Sequence, residues 1–275
     1  TTASPVDGPA SVNALADGRL LFSDSLNGAV RMVNLADAPR SFAGITAAPG
    51  QMVVVAGSRS GRVRARAPTD VEVDAAGVTL FTDLGRFNVE PAVLQVDPKT
   101  RVVTRVVGTQ ERTASDGSNL GDGGPALLAT LAEPIGIDAG SDGALYIADG
   151  GNRRVRVVNR SSATLSPAPG LTVRPGDIAT LVDGTGNTNT NDDDGQALDS
   201  ALMTLFFPTS VDRAADVLWI ADEGSGRVLR ANLGTGQVQG VFSQVVVVAN
   251  SEGTTTSAGN GSTSTLVHTQ VNNAT

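Results

Sequence analysis

One position of a repeated sequence pattern carries an oxygen-bearing side chain in four copies. Each lies four residues after a proline that opens a short apolar segment, and the four are Asn13, Glu72, Asp138 and Asp212. Carboxylate and amide oxygens are the ligands that Ca²⁺ prefers in proteins. If these side chains point to a common axis, they form an oxygen-rich ring able to hold Ca²⁺. The alternatives are that they pair with neighbouring backbone or arginine groups, or face solvent at one end of each unit.

A second repeated carboxylate ends an apolar strand in every unit. These residues are Asp24, Asp83, Asp149 and Asp222. A catalytic carboxylate is needed once in a protein, whereas these recur once in each structural unit. We therefore predict that each one ties a turn by accepting backbone N–H bonds.

The remaining candidates for chemistry are few. The chain has no Cys, and its single His is His268. These counts exclude disulfide scaffolds, thiolate zinc sites and cysteine nucleophiles, and they leave no histidine for a Ser-His-Asp triad inside the repeats. The acidic run at 191–195 fails the EF-hand pattern, because Thr190 and Ala201 occupy positions that need acids, and it is interpreted as a solvated loop. The GDGG run at 121–124 lacks the Lys-Ser/Thr of a phosphate loop.

The composition predicts an all-β protein. Acidic residues outnumber basic ones by 28 to 20, a net charge of −8 that argues against a nucleic-acid backbone as partner. Asp provides 22 of the acids and Arg 19 of the bases, whereas a helical chain would favour Glu and Lys. Apolar runs are short, rich in Val and Thr, and bounded by turn residues. None approaches the length of about 20 residues that spans a bilayer.

Arginines alternate along two segments of the sequence. We expect outer-face charge rows that pair with the abundant aspartates, with an acidic glycan as the alternative partner. The rows are Arg62, Arg64 and Arg66, and Arg153, Arg154, Arg156 and Arg160.

The repeat that positions all these residues has a constant internal spacing. An opening proline precedes the strand-ending aspartate by 15 residues in three units and by 14 in the fourth. An asparagine follows that aspartate by ten residues in three units, and the second unit carries about four extra residues near 87–90. The opening prolines are Pro9, Pro68, Pro134 and Pro208. Each unit offers four short strands whose sheet cannot bury both faces alone, so the units must stack.

The third unit resembles the NHL repeat. Its sequence ALYIADGGNRRVRVVN (144–159) carries the likeness, and residues 25–34 and 223–232 are looser copies. The connector at 121–134 is similar to linkers between NHL repeats of bacterial secreted proteins, and 194–208 is a decayed copy of it. The resemblance covers roughly residues 9–243 and implies a β-propeller of four-stranded antiparallel blades.

The number of blades stays open at this point. NHL propellers commonly have six blades, whereas four units are recognisable here. A closed ring of four is physically acceptable, because propellers have about 4–8 blades. The alternative is a ring completed by the tail as a partial blade, or by another chain.

A different segment follows the repeats, so we predict a propeller over 1–244 and a tail over 245–275. The segment 235–244 is interpreted as the last outer strand, and VVVVAN (245–250) as a bare apolar strand of the tail. A Gly/Ser/Thr-rich linker then leads to a second candidate strand at 265–271. Either that strand folds back on its own ring, or it adds to a neighbouring subunit's open edge and builds an oligomer or filament.

The sequence also suggests export. N-x-[ST] sequons occur at Asn159, Asn260 and Asn273, and such sites matter only in an exported glycoprotein. The first residue is Thr1 rather than Met, which is explained either by removal of a signal peptide or by trimming for expression. With the Thr/Ser-rich tail, we favour a secreted chain whose signal peptide has been removed. We expect an extracellular or cell-surface protein.

The predicted function is a non-enzymatic scaffold that binds protein or glycan, without an organic cofactor. The alternative is a Ca²⁺-dependent hydrolase that uses the axial carboxylates. Propeller lactonases and arylesterases, which are similar in architecture, hold Ca²⁺ with groups at the starts of the inner strands. Only Asp70 could serve there in this chain. Amidating-lyase propellers rely on several histidines, which this chain lacks.

Overall fold

The computed structural model describes residues 5–42, 44–57, 65–85, 89–109, 120–183, 205–233 and 245–250, with the backbone alone at Asp183, Arg227 and 245–250. Within these residues, four antiparallel sheets of four strands each are arranged as the blades of a β-propeller. Two short hairpins and three single-turn 3₁₀ helices complete the described secondary structure. The predicted fold class is confirmed.

The strands of each blade follow one another from the inner to the outer edge. The first blade contains β1 (Pro9–Ala14), β2 (Arg19–Asp24), β3 (Ala29–Asn34), the hairpin β4 (Arg40–Phe42) and β5 (Ile45–Ala47), and β6 (Met52–Gly57). The second contains β7 (Pro68–Val73), β8 (Thr79–Asp83), β9 (Ala92–Val96) and β10 (Val103–Val107). The third contains β11 (Pro134–Ala139), β12 (Ala144–Asp149), β13 (Arg154–Asn159), the hairpin β14 (Leu165–Ala168) and β15 (Leu171–Val173), and β16 (Ile178–Asp183). The fourth contains β17 (Pro208–Ala214), β18 (Val217–Asp222), β19 (Arg227–Asn232) and β20 (Val245–Asn250).

The constant spacing of the sequence is the register of the inner hairpin. In all four blades the opening proline pairs with the strand-ending aspartate, and a β-bulge follows the proline. The fourth unit is one residue shorter because β17 and β18 are joined by the two residues Ala215 and Asp216. The first blade uses a longer turn, closed by the hydrogen bond from Leu15 N to Arg19 O.

One strand assignment made from the sequence is wrong. The outer strand of the fourth blade is Val245–Asn250, which pairs with β19, rather than the segment 235–244. The apolar strand assigned to the tail therefore belongs to the fourth sheet. Residues 235–244 and 251–275, including the candidate strand at 265–271, lie outside the described residues.

Apolar clusters fill the junctions between successive blades. Along the second strand of a blade, alternate residues face opposite neighbours: Phe81 packs toward the first blade and Leu80 toward the third. The first junction contains Leu21, Met32, Val71 and Phe81; the second contains Leu80, Val93, Ile137 and Ile147; the third contains Tyr146, Val157, Val211 and Ile220. Blade stacking therefore supplies the hydrophobic core.

The inner strands lie side by side in the order β1, β7, β11, β17. Backbones come close there: a Cβ placed on Gly136 would lie 2.6 Å from Thr209 O and 2.7 Å from Ser210 Cα. Because backbone cannot yield as a flexible side chain does, this position of β11 requires glycine.

We predict that Val71→Ala destabilises the propeller much more than Val102→Ala. Val71 is fully buried in the first junction, whereas Val102 is 50% exposed ahead of β10. Removing two buried methyl groups should lower the free energy of unfolding by about 2 kcal/mol, through lost burial and a residual cavity. Urea unfolding followed by circular dichroism measures both variants. Equal effects would contradict this account of the core.

Candidate functional site

The four residues predicted as an axial series occupy equivalent places on neighbouring inner strands. Each pairs with the same position of its blade's second strand: Asn13 with Leu21, Glu72 with Leu80, Asp138 with Tyr146, and Asp212 with Trp219. The repeat thus carries one polar position across all four blades.

These side chains form bonds from one blade to the next. Asn13 Nδ2 donates to Glu72 Oε2 over 2.7 Å, joining the first blade to the second. Asp138 Oδ2 accepts the backbone N–H of Arg213 over 2.8 Å, joining the third blade to the fourth. Asp212 is exposed. Two of the series thus pair directly, and a third bonds to backbone.

A parallel set lies two residues earlier on the same strands. Asp70 Oδ2 accepts the backbone N–H of Ile137 over 2.8 Å, and its Oδ1 accepts the hydroxyl of Ser11. Asp70 therefore links the first, second and third blades. Ser11 was missed by the sequence reasoning, although it stands two residues after its opening proline as Asp70 does.

Burial and mutual repulsion act on the axial carboxyl groups. Burial, then the charge of Asp70 and further that of Asp138, raises the pKa of Glu72 to about 7, against an opposing hydrogen bond from Asn13. Burial also raises the pKa of Asp138, with the charge of Asp212 adding to the shift. Burial and neighbouring carboxylates therefore make ionisation of Glu72 and Asp138 harder.

The predicted metal ring is not assembled as a ligand cluster in the part of the chain that the structure describes. Within it, no group of three or more Asp, Glu or His side chains is placed to hold a metal ion. The acidic run at 191–195 lies outside the described residues.

The strand-ending aspartates are buried and fasten the segment that enters each blade. Asp24 Oδ1 accepts the N–H of Asp7, and Asp149 Oδ1 accepts that of Ala132, both over 2.8 Å. Asp83 accepts N–H groups of Arg66, Ala67 and Gly85, and Asp222 those of Phe206 and Phe207. These contacts close the turn ahead of each inner strand.

The strand-ending aspartate also organises the next strand in the first and third blades. Asn152 Nδ2 lies 2.9 Å and Arg156 Nη1 3.3 Å from Asp149 Oδ2, three and seven residues further along the chain. Asn27 and Arg31 contact Asp24 in the same way. The arginine seven residues after the aspartate was missed by the sequence reasoning, although its spacing repeats.

The arginines of the third blade correct the expectation of an outer-face charge row. Arg154 and Arg156 are 3% and 0% exposed. Arg156 Nη2 lies 2.5 Å from Asp122 Oδ1, and Asp122 also accepts the Thr180 hydroxyl over 2.6 Å. Thus the connector at 121–134 is bonded to the third blade through a buried ion pair. Burial raises the pKa of Asp149 in this cluster, which the positive charge of Arg156 opposes.

The other arginines of these rows have different surroundings. Arg160 pairs with Asp74 of the second blade over 2.9 Å, which makes it another tie between blades. Arg153 is exposed at a positive φ of 56°. Arg66 is described, whereas Arg62 and Arg64 lie outside the described residues.

The sequon at Asn159 is incompatible with glycosylation of the described fold. Asn159 is fully buried, and its Nδ2 donates to Ala163 O over 2.7 Å and to Val173 O over 2.8 Å. A glycan would replace one of these donated hydrogens and has no room there. Asn34 makes the corresponding two bonds in the first blade, so the repeated asparagine anchors the loop after the third strand. Asn260 and Asn273 lie outside the described residues.

Comparison with solved structures supports the propeller fold. The chain is similar to a streptogramin B lyase structure at 13% identity and a TM-score of 0.50, over 89% of this chain and 56% of that one. It is also similar to a Bacteroides thetaiotaomicron protein of unknown function at 17% identity and a TM-score of 0.49, over 78% of this chain and 44% of that one. A nidogen–laminin complex is similar at 14% identity and a TM-score of 0.41, over 83% of this chain and 77% of that one. The chain spans about half the length of the first two structures.

The likeness to the streptogramin B lyase structure, at a TM-score of 0.50, supports the class of fold and no activity. No protein-family model matches the chain, and no curated protein matches it either. NHL membership therefore stays a prediction. Among the described residues, no helix is long and apolar enough to cross a membrane.

We predict that Glu72→Gln stabilises the protein increasingly as the pH rises from about 4.5 to about 7. The pKa of Glu72 is about 7 in the folded protein and 4.5 in the unfolded chain, so the folded state binds the proton more tightly between these pH values. Its contribution to stability is complete below the lower value and is lost as the pH rises through the upper one. After a discount for partial exposure, the variant should gain at most about 2 kcal/mol on the parent.

Urea unfolding at several pH values measures this difference. Asp37→Asn, at an exposed carboxylate in the loop after β3, serves as the control and should not change with pH in this way. A pH-independent effect of Glu72→Gln would disprove the assignment.

Proposed function

We propose that this chain is an exported, non-enzymatic β-propeller scaffold that binds a protein or glycan partner. One observation carries the proposal: polar groups on the inner strands are used to join blades. Asn13 bonds to Glu72, Asp70 to Ser11 and Ile137, and Asp138 to the backbone of the fourth blade. A catalytic centre needs such groups free to meet a substrate, which these bonds oppose.

A rim of the propeller offers apolar side chains to a partner. Val6, Leu26 and Phe206 are 41%, 56% and 50% exposed. All three lie beside the turn from a blade's second strand to its third: Leu26 N bonds to Asp7 O, next to Val6, and Phe206 N bonds to Asp222. Aromatic and aliphatic side chains of this kind are typical of the central part of protein interfaces.

The alternative function is a Ca²⁺-dependent hydrolase, and one observation favours it. Burial raises the pKa of Glu72, and the nearby charges of Asp70 and Asp138 raise it further. A divalent cation would relieve this repulsion, as it does in carboxylate-rich calcium sites.

The proposal of export rests on the sequence, through the sequons at Asn260 and Asn273.

Calcium binding and ester turnover separate the two functions. For the scaffold we expect the same melting temperature in about 1 mM CaCl₂ and in EDTA. A Ca²⁺ site would raise the free energy of unfolding by about 2.7 kcal/mol at a free Ca²⁺ concentration about 100 times its dissociation constant. We also expect no hydrolysis of p-nitrophenyl acetate or of a simple lactone above the buffer rate.

Matched variants make the result specific. A Ca²⁺-induced rise in melting temperature that Asp138→Asn or Asp212→Asn removes, and that Asp37→Asn keeps, would establish a Ca²⁺ site on the inner strands and contradict the expected equal melting temperatures. Turnover with the same dependence would establish the hydrolase instead.

A further inference from the structure

The third residue after each opening proline is apolar in all four blades but is buried in only three. Val71, Ile137 and Val211 are 0%, 1% and 5% exposed, and each belongs to the apolar cluster at the junction with the preceding blade. Val12 occupies the same register position in the first blade, yet it is 60% exposed. The first blade thus has a surface of the kind that the other blades bury.

Incomplete burial extends beyond Val12 over most of the side of the first blade that corresponds to the preceding-blade side, which we term the front face. In the third blade the front face contains Ile137, Leu145, Ile147, Val158 and Ile178, all in the second junction. Their register equivalents in the first blade are Val12, Leu20, Phe22, Val33 and Met52. None of these belongs to the described apolar clusters. Leu20, Val33 and Met52 stay half-buried, and Phe22 is 8% exposed.

The fourth blade has the matching surface at the other end of the stack. The back face, which turns to the following blade, contains the fully buried Tyr146 and Val155 in the third blade. The equivalents in the fourth blade, Trp219 and Val228, are only half-buried. Arg230 replaces Val157 there, so this back face is the more polar of the two.

A back face packs on a front face at each of the three junctions, and one of each is left over among the four described blades. Within the described residues, β17 and β1 do not contact each other as successive inner strands do. We infer that the back face of the fourth blade packs on the front face of the first blade of a second copy of this chain. This deepens the proposed scaffold function, on which it rests, by naming the partner.

Two reciprocal contacts of this kind would close a ring. A head-to-tail interface forms a closed ring when its rotation closes and a filament when it does not. Two copies of four blades give eight, which lies within the range of known propellers. Stacked repeats also need their terminal faces covered or polar. The front face of the first blade is apolar, and no described blade packs on it.

The mass of the full chain in solution tests the inference. Sedimentation velocity should give a particle of two chains of 27.9 kDa each. Val12→Glu should raise the dissociation constant of this dimer at least about tenfold, because a charge would enter an apolar junction. Leu35→Glu is the matched control, since Leu35 is 63% exposed in the loop after β3 and should leave the mass unchanged.

A monomer at every concentration would overturn the inference. So would a dimer that Leu266→Asp in the tail dissociates and Val12→Glu does not, because the tail strand would then mediate assembly.

Cysteine cross-linking locates the contact, since the chain has no cysteine of its own. Val155 and Val211, the equivalents of Val228 and Val12, share the third junction. Mixing Val12→Cys and Val228→Cys chains should therefore give a disulfide-linked dimer on oxidation, and mixing Leu35→Cys with Val228→Cys should not.

The cross-link also separates failure of this inference from failure of the proposed function. A doubly substituted chain that forms only an intramolecular disulfide would overturn the inference, because the ring would then close within one chain. Neither that result nor a monomer would affect the scaffold proposal, whereas Ca²⁺-dependent turnover would overturn the scaffold and leave the contact between copies intact.

Discussion

The structure depends on the need to cover both faces of every four-stranded sheet. Alternate residues of a strand point to opposite faces, and both sets are apolar in this chain: Leu145 and Ile147 face one neighbour, Tyr146 and Ala148 the other. A single blade on its own would leave both of these faces in water. Stacking therefore comes before all other features of the fold, and each blade's stability depends on its neighbours as in other repeat proteins.

The inner edge of each blade poses a second problem, which polar side chains solve. The inner strand has a row of backbone groups without a partner strand on its open side. Asp70 and Asp138 accept N–H groups of the next inner strand, and Thr82 Oγ1 donates to Ile135 O over 2.8 Å. These bonds fix the position of one inner strand along its neighbour, which apolar packing alone does not. Their cost is the burial of carboxyl groups close to one another: burial, and then the charge of Asp70, raise the pKa of Glu72.

The strand pairing within each inner hairpin could be predicted from the sequence, whereas the position of strands beyond the variable connections could not. A constant spacing of 15 residues between proline and aspartate is a direct record of their pairing, as for Pro134 and Asp149. The outer strand of the fourth blade was misplaced because the connections after the third strand differ in length, spanning 35–51, 97–102, 160–177 and 233–244. No fixed offset can locate a strand beyond such connections.

Contacts between blades were beyond the sequence for a related reason. Asn13 and Glu72 are 59 residues apart, and Asp138 and Arg213 are 75 apart. Equal positions in the repeat showed that such residues occupy equivalent places on neighbouring inner strands. Which of their atoms form hydrogen bonds depends on the rotation from one blade to the next. The same limit applied to Arg156, whose spacing was visible and whose partner Asp122 comes from the connector.

The third unit shows the repeat pattern most clearly because its residues act as one hydrogen-bonded set. Asp149 is bonded to Asn152, Arg156 and the backbone of Ala132, so losing any one partner leaves a buried charge less compensated. The first blade keeps the same set at Asp24, Asn27 and Arg31. The fourth has Ser225 in place of the asparagine and Leu229 in place of the arginine, and its aspartate is bonded to two backbone N–H groups and the Ser225 hydroxyl. The pattern therefore weakens where other donors take over the buried aspartate, while the aspartate itself remains because the entry to every blade requires it.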